Sequence, residues 1–162
     1  MKKMLMVILT ASMLFVGVGS VFAESEYSIN GHEINKLYAT MFSDEQGNPQ
    51  SSFIMLPLRE VVENGLGYKL GWDPATMTAT VTTIEDETTQ KIGNVIVKKK
   101  IYPEKTLKFT AGSGIIEISD GTSQAEYTIP DYGKVQESDD KLYVPDKAII
   151  DVFGLENKPI DE

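Results

Sequence analysis

Few residues in this chain could do chemistry. His32 is its one histidine, and cysteine is absent. Histidine serves as a general base or metal ligand when partners hold and orient it. Here it follows the turn dipeptide Asn30-Gly31, which predicts an exposed place at a hairpin, and no motif supplies the partners. A Gly-x-Ser-x-Gly nucleophile elbow is also missing. The acid runs Glu85-Asp86-Glu87 and Glu137-Ser138-Asp139-Asp140 would attract calcium if their spacing suited it. They lack the alternating acids and central glycine of a calcium loop and read as solvated loops. Ala111-Gly112-Ser113-Gly114 has the glycine content of a phosphate cradle, but Ile115 and Ile116 stand where such a loop needs Lys and then Ser or Thr. It reads as a turn. Trp72, the one tryptophan, would stack on a sugar ring if exposed, yet its alternation with Tyr68 and Leu70 predicts a core position. Lys98-Lys99-Lys100 reads as a charged strand edge that discourages sheet-to-sheet pairing. The sequence therefore assigns no catalytic, cofactor-binding or metal-ligating residue, implies no cofactor, and leaves the binding residues unassigned.

The elements that must position these residues begin after an export signal. Lys2 and Lys3 form a positive start, Met4 to Val18 a mostly apolar run, and Val21-Phe22-Ala23 a small-residue cleavage motif. A membrane-spanning helix needs about 20 apolar residues, and Gly17, Gly19 and Ser20 cut this run short. The prediction is a signal peptide over residues 1–23 and a secreted or wall-associated location outside the cytoplasmic membrane. The absence of cysteine excludes lipid attachment through a cysteine after the cut. Removing residues 1–23 takes two lysines and no acid, which moves the formal charge from −9 to −11. So acidic a chain repels phosphate backbones and anionic lipid, which argues against nucleic acid and membrane surfaces as partners. Residues 24–162 leave room for one domain or two small ones, stabilised by apolar packing without disulfides.

Along that stretch, short strands alternate with turn residues. Tyr27 to Ile29, Asn30-Gly31 and Ile34 to Tyr38 predict an opening hairpin with a type I′ turn. Asp44 to Ser52 reads as a loop and Phe53 to Leu56 as a strand. Pro57 opens a helix that buries Leu58, Val61, Val62 and Leu66, and Gly65 and Gly67 end it. Tyr68 to Trp72, the turn Asp73-Pro74-Ala75-Thr76 and Met77 to Thr83 form a second hairpin, followed by a weakly structured connection over Glu85 to Gln90. Further strands are expected at Val95–Val97, Thr106–Phe109, Ile115–Ile118 and Ala125–Ile129, with Asp120-Gly121 turning the last two. Lys141 to Leu155 then repeats the earlier plan of strand, proline, helix and glycine.

Phe53 to Gly67 and Lys141 to Gly154 align if Gly65 is one extra residue. Each carries a base two residues beyond its proline and an acid four residues further, Arg59 with Glu63 and Lys147 with Asp151. Pairs at that spacing meet on a helix surface and contribute a few tenths of a kcal/mol. Leu56-Pro57-Leu58-Arg59-Glu60-Val61-Val62-Glu63, followed by Leu66-Gly67-Tyr68-Lys69-Leu70-Gly71-Trp72-Asp73-Pro74-Ala75-Thr76, resembles the copper amine oxidase N-terminal domain family. These stalk domains occur in many exported proteins of Gram-positive bacteria. The second copy keeps Tyr143-Val144-Pro145 and Gly154 but has Asp146-Lys147 in place of Leu-Arg, and no Trp-Asp hairpin follows it. The resemblance covers most of residues 27–155. It implies a stalk or adhesion-like module, since in those oxidases copper and the quinone belong to a separate catalytic domain. One histidine and no cysteine cannot assemble a copper site of that kind within one subunit.

The expectation is an α+β fold of mainly antiparallel sheets in two pseudo-repeated units, about 27–83 and a truncated 93–155, each with one short helix. The expected function is a non-enzymatic, exported stalk-type module that binds a protein or polysaccharide at the cell envelope. The alternative is a secreted hydrolase, which requires His32 in a cleft, or an inhibitor-like factor, which requires a protruding loop at 44–52. Carbohydrate binding requires Trp72 exposed, or several of Tyr127, Tyr132 and Tyr143 in a flat row.

Overall fold

A computed structural model describes residues 26–84 and 104–158, together with the strands Met4–Ile8, Glu87–Ile92 and Val95–Lys100. Lys2, Lys3, the Val21-Phe22-Ala23 motif and Glu85-Asp86 lie outside the described residues. In chain order the strands are β1 Met4–Ile8, β2 Glu26–Ile29, β3 His32–Ile34, β4 Tyr38–Ser43, β5 Pro49–Pro57, β6 Lys69–Asp73, β7 Thr78–Thr82 and β8 Glu87–Ile92. They continue with β9 Val95–Lys100, β10 Thr106–Thr110, β11 Ile115–Ser119, β12 Gln124–Thr128, β13 Gln136–Ser138, β14 Lys141–Pro145 and β15 Glu156–Lys158. A π-helical turn, Glu60–Gly65, follows β5, and helix α1, Asp146–Phe153, follows β14.

Antiparallel pairing dominates, and among the described residues the β1–β15 pair alone is parallel. One sheet runs β12-β11-β10-β7-β6, a second β13-β14-β5-β4, a third β15-β1-β2-β3, and β8 pairs with β9. The strand pattern follows from alternation. In β7 and β10, Ala79, Val81, Leu107 and Phe109 turn inward, and register places Val81 beside Leu107 and Ala79 beside Phe109. On β5, Leu56 faces this core, while Phe53 and Met55 face the other way into a smaller cluster with Phe42 and Tyr143. The main core draws on all the larger elements: Ile29 and Ile34 from the first hairpin, Val61 and Val62 from the π turn, and Ala148 and Ile149 from α1.

Leu56 pairs directly with Val144, flanked by Met55 with Pro145 and Pro57 with Tyr143. The two proline-initiated helices therefore leave one antiparallel strand pair in opposite directions. The helix after Pro57 buries Leu58, Val61, Val62 and Leu66 as the sequence predicts, but it widens: the Leu66 amide donates to the Val61 carbonyl, five residues back. Gly65 sits where a Cβ would lie 3.0 Å from the Ile29 Cβ, so its role is close approach to the first hairpin. The left-handed φ belongs to Gly67, at +69°. Gly154, at φ 60°, ends α1 in the left-handed conformation.

Several local expectations change. The opening hairpin has its Asn30-Gly31 turn with positive φ at both residues, as a type I′ turn requires, but its second strand stops at Ile34. Lys36, at φ 60°, breaks the extended run and carries the chain to the next sheet. The predicted loop 44–52 contracts to a tight turn. The Asp44 carboxylate accepts from the Gln46 and Asn48 amides at 2.9 and 2.8 Å, and Pro49 already belongs to β5. Glu87 to Gln90, expected as part of a connection, belong instead to β8, against which Lys98, Lys99 and Lys100 of β9 pair.

Candidate functional site

The candidate site is a groove of about 390 Å³ between the open edge of the five-stranded sheet, the π-helical turn and the β13–β14 hairpin. Trp72 stands on its rim. Register explains how. Trp72 pairs with Ala79, Ala79 with Phe109, Phe109 with Ile116 and Ile116 with Tyr127, so all five share one face of the sheet. That face is the core face, as the alternation in the sequence implies. However, β6 is the edge strand and its neighbour contributes only the methyl of Ala79. The indole therefore overhangs the core and is 41% exposed, which corrects the expected core position. Alternation reports the face of a strand and carries no information on whether the strand is an edge.

The turn after β6 holds this rim in place. Asp73 accepts the Ala75 amide at 3.0 Å and the Thr76 hydroxyl at 2.8 Å, and these bonds hold its carboxyl below the usual carboxylate range. Across the groove, the π-helical turn presents Glu60, Glu63 and Asn64. Glu60 Oε1 accepts from the Asn35 backbone amide at 3.0 Å, and Arg59 Nη1 donates to Glu63 Oε1 at 3.2 Å. The third wall is the turn Asp139-Asp140, with φ of 50° and 59°, where the Asp140 amide donates to Glu137 Oε1 at 3.0 Å. The acid run thus closes β13 with Glu137-Ser138 and turns at Asp139-Asp140. Among the described residues, no side chain holds the Asn64 amide, the Trp72 indole N–H or the Lys141 ammonium.

The other candidates lie apart. His32 is part-exposed on the first hairpin, with Nε2 4.0 Å from Glu60 Oε1, and it does not line the groove. Ala111-Gly112-Ser113-Gly114 is a turn whose amides are already used: Gly112 donates to the Val135 carbonyl and Ser113 to the Thr110 carbonyl. Tyr127, Tyr132 and Tyr143 form no flat row. Tyr143 is buried, Tyr132 is exposed, and Tyr127 donates its hydroxyl to Asp151 Oδ2 at 2.6 Å. Lys147 was expected to meet Asp151; its Nζ instead lies 3.8 Å from Asp131 Oδ2 and 5.3 Å from the Phe53 ring centre. Spacing along a helix cannot foresee such partners from other elements. Among the described residues no group of three or more His, Asp or Glu side chains is placed to hold a metal ion. The groove had one signal in the sequence, Trp72, while its other walls come from segments far apart in the chain.

The copper amine oxidase N-terminal domain profile matches residues 41–159. The chain belongs to this family, a non-catalytic module, and the match spans both proline-initiated segments and the strands between them. No curated protein and no solved structure gives a match.

Proposed function

We propose that this chain is an exported, non-enzymatic stalk-type module that binds a partner or polymer at the bacterial cell envelope. Membership of a non-catalytic family supports the stalk role, and the observation that carries binding is the groove beside an exposed tryptophan. The indole lies on a sheet edge whose following turn is fixed by Asp73, which leaves a flat apolar surface open at the rim of the groove. Export is supported by the leader-like composition of residues 1–23. In this reading β1 departs with the leader, and the first hairpin is kept by its own anchors: Tyr27, Ile29 and Ile34 are buried, and Asn30 Nδ2 donates to the Gly65 carbonyl at 2.9 Å.

The two proline-initiated segments are best read as copies of one unit. The direct pairing of Leu56 with Val144 puts equivalent residues on a local two-fold, and the extra residue of the first copy coincides with its π-helical turn. The test is retention of the chain freed of residues 1–23 on envelope fractions and purified peptidoglycan. Retention on at least one is expected. Passage through all of them unbound would overturn the proposal.

A further inference from the structure

We infer that the Trp72 groove is a binding site for an uncharged pyranose oligosaccharide. The inference rests on the reading of this chain as a binding module and names the chemistry of its ligand.

A pyranose ring has two chemical surfaces. Its axial C–H bonds form an apolar face that lies flat on an aromatic ring, and its hydroxyls surround that face and need hydrogen-bond partners. The groove offers both surfaces in its lining. Trp72 supplies a large flat apolar surface on a strand fixed by its own turn, and the space beside it exists because Ala79 is the residue paired with it. The same lining includes Asn64, an amide donor and acceptor, Lys141, a donor, and Glu63 and Asp140, acceptors. A flat apolar platform with a mixed set of donors and acceptors suits a polyol better than an apolar peptide, which would leave those groups desolvated without partners.

Charge decides between an uncharged glycan and an anionic envelope polymer. The lining carries Glu60, Glu63 and Asp140 against Arg59 and Lys141, and Arg59 is already engaged by Glu63. No paired guanidinium fork therefore remains to clasp a phosphate. The formal charge of the whole chain is −9, which repels a polyphosphate at long range.

Because Trp72 is the sole tryptophan, emission excited selectively in the indole, apart from the 7 tyrosines, reports from the rim of this groove. The full chain is titrated with chitotetraose, cellotetraose and, as the anionic comparison, polyglycerol phosphate. A saturable change in emission with at least one neutral sugar, and none with the polyphosphate, is expected. Silence with both sugars, or a response to the polyphosphate in their place, overturns the inference. Calorimetry with the responsive sugar then compares Trp72→Ala and Trp72→Phe, with circular dichroism confirming the fold of each. Trp72→Ala is expected to weaken binding by about tenfold or more, and Trp72→Phe, which keeps a flat ring, by less. Unchanged binding by Trp72→Ala overturns the assignment to this groove. Envelope retention separates the two levels: if the wild-type chain and Trp72→Ala are held equally while the sugars stay silent, the glycan site fails and the envelope module stands.

Discussion

Two side chains carry a pH signature, one tying distant parts of the chain together and one closing a local turn. Tyr27 donates to Asp146 Oδ2 at 3.1 Å, linking the first hairpin to the start of α1. Burial, then the charge of Asp146 and the hydrogen bond to it, push the phenol well above its ordinary value near 10. The folded value is raised, so the stability contributed by Tyr27 is complete below pH 10 and is lost as pH climbs from there toward the folded value. Tyr27→Phe is therefore expected to cost about 1.5–3 kcal/mol at neutral pH, the net worth of a hydrogen bond to a carboxylate. Above pH 10 the gap should narrow, because the variant has no phenol to ionise in the unfolded chain. Urea unfolding of both proteins at pH 7 and pH 10.5 tests this, and a constant gap would contradict it. At the acid end, Asp120 accepts from the Thr122 and Ser123 amides and from both of their hydroxyls, which hold its carboxyl far below the usual range. Its contribution is present above about pH 4 and is lost as pH falls toward the folded value. Asp120→Asn should thus lower the thermal midpoint at pH 7, with the difference from wild type shrinking in acid.

At the scale of elements, the turns were the most legible part of the sequence. Asn30-Gly31, Asp73-Pro74-Ala75-Thr76 and Gly154 each do what their residue types dictate, because a positive φ or an Asx bond is a local requirement. The π-helical turn was not legible as such. Apolar spacing correctly marked its buried residues, but a widened turn keeps nearly the same buried face, and the close contact at Gly65 is with Ile29, thirty-odd residues earlier in the chain. Gly65→Ala isolates that contact. Its new Cβ would lie 3.0 Å from the Ile29 Cβ and 3.2 Å from its Cγ2, with the backbone of the first hairpin behind them. The expected loss is about 1–3 kcal/mol, as for other overpacked sites. Gly67→Ala is the control, since nothing lies within 4 Å of its Cβ and only the left-handed φ of +69° is strained, at about 1–2 kcal/mol. Chemical denaturation of both variants, with Trp72 emission as readout, should show the first moving the emission maximum of the folded state and the second leaving it in place. The reason is that only Gly65 belongs to the turn that carries Glu63 and Asn64 into the groove. The opposite result would detach the π turn from the site.

At the scale of the whole molecule, the apparent duplication raises the question of whether there are two folding units or one. The packing answers for one. Leu56 and Val144, directly paired between β5 and β14, are both fully buried, and the same core continues through Val81, Leu107 and Ile116 of the other sheet. Neither proline-initiated segment can bury its apolar face without the strand of the other. Leu56→Ala removes apolar contact from both at once and is expected to cost about 2–5 kcal/mol. For a chain of this size the thermal midpoint should fall by roughly 2–4 °C for each kcal/mol lost. The number of transitions is the sharper observable. Trp72 reports from the edge of the five-stranded sheet, while Tyr38 and Tyr143, whose rings meet edge-on at 4.9 Å, contribute tyrosine dichroism from the β13-β14-β5-β4 sheet. Tryptophan emission and near-ultraviolet tyrosine dichroism should melt together in the wild type and shift together in Leu56→Ala. Two separated transitions would mean that each copy folds alone, and the shared strand pair could not then be what holds the groove's walls in register.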